Sequence, residues 1–363
     1  MPYKISGSIN DSARIIVIEE SGWTIESNEL NSPTSYEADT LASGKKLVIA
    51  RANSGEILAS GDVDSIYYTP PARGVFISGV GSSGKVNIVD YITINTTGNA
   101  TDLGDIGVRE CPAACSNGAN DRAVQGGGYI SSPVQTMQYF SIGSFSSAQT
   151  FGNMTIGATR RAGTSNNTNN RGIFAAGYTA GGWSDVIDYI TISSIGDAID
   201  FGDLTTTFND IMDAGISNGV NNRGVFGCSS LLDYITITST GNATSFGNMS
   251  VTRTAMAAFS NHTNNRGVFT GGMAPTVSNI IDYITITTPG NAIDFGDLDI
   301  ARSTAGGTSN GTNDRGVVGG GDGEGAYSYM THMDYVTITT LSNSTDFGDL
   351  TVGRNKLCAT SNA

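Results

Sequence analysis

Asp-Phe-Gly stands three times in the chain, at Asp200-Phe201-Gly202, Asp294-Phe295-Gly296 and Asp346-Phe347-Gly348, each followed by a further carboxylate at Asp203, Asp297 or Asp349. In protein kinases that triplet holds magnesium, and two carboxyl groups flanking one bond suffice for glycoside hydrolysis. Kinase chemistry also needs a His-Arg-Asp loop and a glycine-rich loop followed by a strand lysine; the sequence has neither. The acids recur at a fixed interval, with Asp102-Leu103-Gly104-Asp105 and Ser245-Phe246-Gly247-Asn248 as variants, so they read as architecture rather than as a unique reacting pair. Asp322 and Glu324, in the run Gly319-Gly320-Gly321-Asp322-Gly323-Glu324-Gly325, form a pair outside the repeat. That run reads as a flexible loop, with oxygens of the right type for a hard cation but too few of them. His262 and His332 are the two histidines, too few for copper chemistry, and Cys111, Cys115, Cys228 and Cys358 make no Cys-X-X-Cys pair. No catalytic residue, cofactor or metal ligand is therefore assigned, structural zinc included.

The elements that carry these residues repeat. Arg-Gly or Arg-Ala starts stand at Arg73, Arg122, Arg171, Arg223, Arg266 and Arg315, spaced 49, 49, 52, 43 and 49 residues apart, and the same phrases follow each start in the same order. The fifth copy shows them: Arg266-Gly-Val-Phe-Thr, then Ile281-Asp-Tyr-Ile-Thr-Ile, then Ala292-Ile-Asp-Phe-Gly-Asp-Leu, then Ala301-Arg302 running on to Thr308-Ser309-Asn310. Val, Ile, Thr, Tyr and Phe in short runs between Gly, Asn, Asp and Ser clusters are strand-and-turn chemistry, with no helix of note. Four short strands per copy predict an all-β, six-bladed propeller over residues 73–363. Apolar residues fall on both parities of Ile280–Ile286, so both faces of each sheet should be covered. A linear solenoid would need atypical polar end caps, and the sixth copy is as regular as the fifth. The phrase for the innermost strand is absent before Arg73, where Pro70-Pro71 would interrupt a ladder. Residues 351–362 are therefore expected to supply that strand and close the ring.

The 363-residue chain has a net charge of −14, a balance unsuited to binding a phosphate backbone, so nucleic acid is not an expected partner. The start Met1-Pro2-Tyr3-Lys4-Ile5 does not resemble a signal peptide, and no stretch approaches the apolar length of a membrane span. Asn-X-Ser/Thr triplets such as Asn99-Ala100-Thr101 read as turn residues. The cysteines read as buried thiols; Cys358 in the first blade and Cys111 and Cys115 in the second share strand parity, which makes a cross-blade contact conceivable. Residues 1–64 have another grammar, with strand runs at Tyr3–Ile9, Arg14–Ile18, Ser35–Ala38, Lys46–Arg51 and Glu56–Gly61, and are expected to form a small β-sandwich, joined by a stiff linker at 65–72.

Two sets of residues stand out for roles in the ring. The start arginines recur with the Asp of the Asp-Tyr phrase (Asp90, Asp188, Asp233, Asp282, Asp334; Gln138 in the second copy), which suggests either a repeated ion pair or hydrogen bonds from the guanidinium to turn carbonyls. The stretch between the first two phrases varies most, at 79–88, 128–136, 177–186, 227–231, 271–279 and 320–332, and the fourth is cut to a tight hairpin. By propeller geometry these loops share one face, which would present Tyr129, Tyr178, Trp183, Met273, Tyr327, Tyr329 and His332 for contact with protein or sugar.

Asp-Tyr-Ile-Thr-Ile followed by Gly-Asn-Ala-Asp-Phe-Gly-Asp-Leu-type phrases and by Ala-Thr-Ser-Asn resembles the kelch-like propeller repeats of virion and tail-associated proteins of tailed, especially marine, bacteriophages; the resemblance covers residues 73–363. The second copy departs from it at Gln138-Tyr139-Phe140 and Gln149-Thr150-Phe151. Gly7-Ser8-Ile9, Tyr36-Glu37-Ala38 and Gly44-Lys45-Lys46-Leu47 resemble carboxypeptidase-regulatory, transthyretin-like modules, which serve as attachment units. The resemblance implies a non-enzymatic virion protein, made in the host cytoplasm and present in multiple copies. Its leader would attach to other virion proteins, and its propeller would meet a host-surface glycan or protein. A head or neck decoration protein without a receptor role and a glycan-processing enzyme are the alternatives.

Overall fold

The structure, a computed structural model, describes residues 72–207, 214–324 and 328–363 together with the strands lying between residues 8 and 62. Tyr327 and residues 65–71 of the expected linker lie outside the described residues. The chain divides into two compact units, Met1–Pro70 and Pro71–Ala363.

In the first unit the β-branched run of residues 15–18 falls in the strand Ala13–Glu19, which pairs with Gly22–Thr24, Glu29–Leu30 and Lys46–Arg51; Ile57–Asp62 extends the sheet beyond Lys46–Arg51. Ser8–Ile9 and Thr34–Ser35 form a separate two-stranded ladder.

The second unit is all-β and propeller-like, with seven antiparallel sheets of three or four strands among the described residues. Six of these follow the repeat. The second sheet is representative: Ala113–Ser116 is innermost, then Arg122–Gly126, Thr136–Ser141 and Gln149–Asn153, in chain order. Five of the six inner strands are followed by a three-residue 3-10 turn that ends on Asp121, Asn170, Asn222, Asn265 or Asp314, all left-handed. Asp and Asn tolerate that conformation better than other residues with side chains, which is why one of them precedes five of the six start arginines.

The first sheet is assembled from both ends of the repeat region. Cys358–Ser361 pairs antiparallel with Arg73–Ile77, placing Thr360 opposite Val75 and Cys358 opposite Ile77. The closing strand is shorter than the expected 351–362, because Arg354–Asn355 turns away to pair with Val80–Gly81 in the small seventh sheet. Inner strands contact one another in a cycle: Ala113–Ser116, Ala162–Ser165, Ala214–Ser217, Ala257–Ser260, Gly306–Ser309, Cys358–Ser361 and back to Ala113–Ser116. A small residue is a steric necessity at the second position of these strands, since a Cβ on Gly163 would lie 2.2 Å from the Ala114 carbonyl oxygen.

Apolar layers fill each gap between neighbouring sheets. Phe76, Ile92 and Ile94 of the first sheet, for example, pack with Val317, Met333 and Phe347 of the sixth, all buried. Burying a side chain of this size contributes about 1.5–3 kcal/mol, so each layer ties two sheets together strongly. The Asp-Phe-Gly phrase serves this packing. A bulge recurs opposite it: Ile187 faces Gly202 while Asp188 faces Asp200, leaving Phe201 as the extra residue, 2 % exposed. The glycine of the phrase permits close approach, because at Gly348 (φ 137°) a Cβ would lie 2.6 Å from the backbone of Gly98 in the first sheet.

Two of the variable segments are strands rather than loops. In the third copy the strands lengthen to Arg171–Thr179 and Gly182–Thr191 around a two-residue turn, with Tyr178 opposite Trp183. In the fourth, a single strand Arg223–Thr236 runs through the tight hairpin. All four cysteines are buried, and burial, with Cys358 nearby, pushes the Cys115 thiol pKa up.

Candidate functional site

The repeated acids have buried partners, and these are not the start arginines. Arg354 pairs with Asp90 at 2.8 Å, Arg161 with Asp188 at 2.8 Å, Arg253 with Asp282 at 2.7 Å and Arg302 with Asp334 at 2.6 Å, all with side chains 0–1 % exposed. These arginines precede the inner strand of the same sheet. The same guanidinium groups also donate to backbone carbonyls: Arg253 to Gly271 and Phe269, Arg302 to Gly320 and His332. Charges removed from water this completely persist only with such bonds. The second copy substitutes a neutral acceptor, with Arg109 donating to Gln138 at 3.0 Å. In the fourth copy Asp233 takes bonds from the Thr205 amide and hydroxyl, and residues 204–213 contain no Lys, Arg or His. Burial raises the Asp233 pKa, and the Thr205 bonds pull it back in part.

The start arginines take the second of the two options that the sequence leaves open. Arg73, Arg122, Arg171, Arg223, Arg266 and Arg315 each lie over the tyrosine of their own Asp-Tyr phrase, 4.4–4.7 Å from the ring centroid, and so stack rather than pair with the acid. Each also donates to turn carbonyls of the next sheet, as Arg122 does to Ile192 and Ser193 and Arg315 to Ile94 and Asn95. The physical reason is reach: the Asp is fully buried between sheets while the start arginine sits at the strand's far end, where only the tyrosine and the neighbouring turn are accessible.

A second belt of polar bonds runs beside these arginines. Asn117 donates to Asn170, Asn166 to Asn222, Asn218 to Asn265, Asn261 to Asp314, Asn310 to Asn95 and Asn362 to Asp121, at 2.7–3.1 Å, so each sheet is bonded to the next and the cycle closes. The inner strands line two narrow cavities of about 80 and 60 Å³. At one end of the larger, Asn167 bonds the Ala363 oxygen at 2.8 Å and lies 3.3 Å from His262 Nδ1. Burial pushes the His262 pKa down to about 4. A cavity of this size admits water but is far below the roughly 300–1,000 Å³ of a typical ligand pocket.

Among the described residues, the sequence-selected contact residues are spread over different sheets. Tyr129, Tyr178 and Met273 occupy equivalent places, bridging to Glu110, Thr159 and Thr254; Asp322 takes the same place by bridging to Ser303. Tyr178 and Trp183 meet edge to face at 5.1 Å, and Tyr178 is 43 % exposed. Lys85, which sequence reasoning missed, lies 4.6 Å over the Tyr129 ring and is tied to Glu110 at 3.8 Å. Met273 and Tyr329 are exposed. His332 does not join them: its Nε2 lies 2.9 Å from Asp334 Oδ1. That bond, with the charges of Asp334 and Asp346 set against burial and Arg302, holds the His332 pKa above its usual value. Asp322 is partly buried, its pKa raised by that burial, with Lys356 acting the other way.

The buried arginines were discoverable in the sequence from the recurrence of Arg before five of the six inner strands, at Arg109, Arg161, Arg253, Arg302 and Arg354. This arrangement bonds each sheet to the next and leaves the Tyr178 ring of the third-copy hairpin exposed. No family model matches the chain, and no curated protein matches it either.

Proposed function

We propose that residues 73–363 form a six-bladed propeller, that residues 1–64 form an attaching β-sandwich, and that the chain is a non-enzymatic virion component of a tailed phage. Its contact surface for a host glycan or protein is the face bearing the variable segments. The phage setting rests on the resemblance of the repeat phrases. The propeller reading is supported by the cycle of inner strands and the closing pair of strands. The contact role rests on one observation, the lengthened third-copy hairpin whose Tyr178 and Trp183 form a partly exposed aromatic pair. Rigid aromatics held by a strand pair contact a partner at low entropic cost. Non-catalytic use fits the acids Asp90, Asp188, Asp282 and Asp334, which are committed to buried arginines.

Binding of the full chain to cells of the infected host and to a glycan array tests this. A Tyr178→Ala/Trp183→Ala variant should lose at least about tenfold in binding, since interface aromatics each contribute ~2 kcal/mol or more. Undiminished binding contradicts the contact role, and glycan turnover abolished by Asp322→Ala makes the chain an enzyme.

A further inference from the structure

At one junction between sheets the repeat changes its chemistry in two places at once. Elsewhere the buried Asp receives a hydroxyl: Thr351 donates to Asp90, Thr155 to Asp188, Thr205 to Asp233 and Ser250 to Asp282. The equivalent residue facing Asp334 is Asp299, which brings a carboxylate in place of the donor. Two residues before Asp334 stands His332, where the other copies have Ile88, Thr136, Val186, Leu231 and Ile280. His332 Nε2 lies 2.9 Å from Asp334 Oδ1 and 3.7 Å from Asp299 Oδ2, and its Nδ1 lies 3.6 Å from Asp346 Oδ1.

These groups are of the types that hold a metal ion. One imidazole nitrogen and two carboxylates face a common point, with their ligand atoms all within 4.8 Å of one another. Zinc-like ions take such ligands at about 2.0–2.2 Å, and Asp299, 59 % exposed at its side chain, can rotate to close the gap. The other ring nitrogen faces a carboxylate, as metal-bound histidines usually do, and Asp346 is itself held by the Gly348 amide at 3.1 Å. Arg302 fixes Asp334 through its other oxygen at 2.6 Å, leaving Oδ1 for the ion. Charge favours occupancy too: three carboxylates face one arginine, and a divalent ion bound to a neutral imidazole brings the sum to zero.

We propose that Asp299, His332 and Asp334 bind one divalent transition-metal ion of the zinc class, with solvent completing its coordination, stapling the fifth sheet to the sixth. The site is independent of the phage reading. Its sequence signal is weak because the ligands come from two copies in no recognised spacing.

Calorimetric titration of the chelator-treated full chain with Zn²⁺, and of a parallel sample with Co²⁺ followed by visible absorption, tests the site. Wild type should bind one equivalent. Asp299→Thr, which removes a ligand, should bind at least about tenfold more weakly, since loss of even an outer-shell partner costs that much, and His332→Ile should lose the site. Both variants restore residues that other copies carry, and unchanged circular dichroism should show that they fold. Absence of a one-equivalent event in wild type overturns the proposal, as does equal binding by His332→Ile, which would mean scattered association with surface acids.

Discussion

Arg354 and Asp90 lie 264 residues apart in the sequence and meet at 2.8 Å with both side chains fully buried. The pair repeats what Arg253 and Asp282 do within one stretch of chain, but here it joins the end of the repeat region to its beginning. Beside it, Thr351 bonds the same carboxylate, and Arg354 also reaches the Phe76 carbonyl at 3.1 Å.

Removing one partner of this pair strands a charge in an apolar layer. Arg354→Met or Asp90→Leu alone should lower stability by about 3–5 kcal/mol, while the double variant should recover much of that loss because both charges leave together. Denaturant melts of the four proteins check this; equal damage in single and double variants would show that the pair is not coupled.

Asp233 should behave oppositely to Asp282. Burial raises its folded-state pKa above the unfolded value, so the folded protein keeps the proton to higher pH, and stability falls as pH rises from the ordinary carboxylate range through the raised value. Asp233→Asn should therefore be more favourable to stability at pH 7 than at pH 4, since an Asn amide can donate to the Thr205 hydroxyl while its oxygen keeps the Thr205 amide bond. Asp282→Asn, which leaves Arg253 without its counter-charge, should lower stability at pH 7 by about 3 kcal/mol. Thermal melts of both variants at the two pH values decide the matter.

His262 supplies an acid-labile element. Its folded pKa of about 4 lies below the unfolded value, so its stabilising contribution is complete at neutral pH and is lost as pH falls from the ordinary histidine range towards 4. The loss amounts to at most about 3 kcal/mol. His262→Gly, the residue at the equivalent Gly219 and Gly311, suits the left-handed backbone there (φ 48°) and should flatten that part of the pH profile. A profile unchanged between wild type and variant would place the acid sensitivity elsewhere.

The register of the repeat was legible because each copy must satisfy the same packing, so Phe201, Phe295 and Phe347 return with the same glycine behind them. Ring closure was legible from a missing inner-strand phrase before Arg73. Partner choice was not. Start arginine and Asp recur together for separate reasons, one stacking on tyrosine at the sheet's end and the other bonding an arginine between sheets. The third copy hides its buried arginine further, since Arg161 stands three positions later than its counterparts, where Ala158 has taken the usual place. Loop reading failed at 177–186, where the cross-strand contact of Tyr178 with Trp183 extends the ladder, and His332 read as a surface contact because two of its three carboxylates, Asp299 and Asp346, come from a different copy and the opposite strand.

The most direct test of the closed ring is a disulfide across its seam. Val75 and Thr360 are paired residues of adjacent antiparallel strands, and Cα atoms about 4.5–5.5 Å apart suit a disulfide. The Val75→Cys/Thr360→Cys protein should oxidise within one chain, migrate faster than its reduced form on a non-reducing denaturing gel, and unfold at higher temperature. Failure to form the link, or links formed only between chains, would contradict the account.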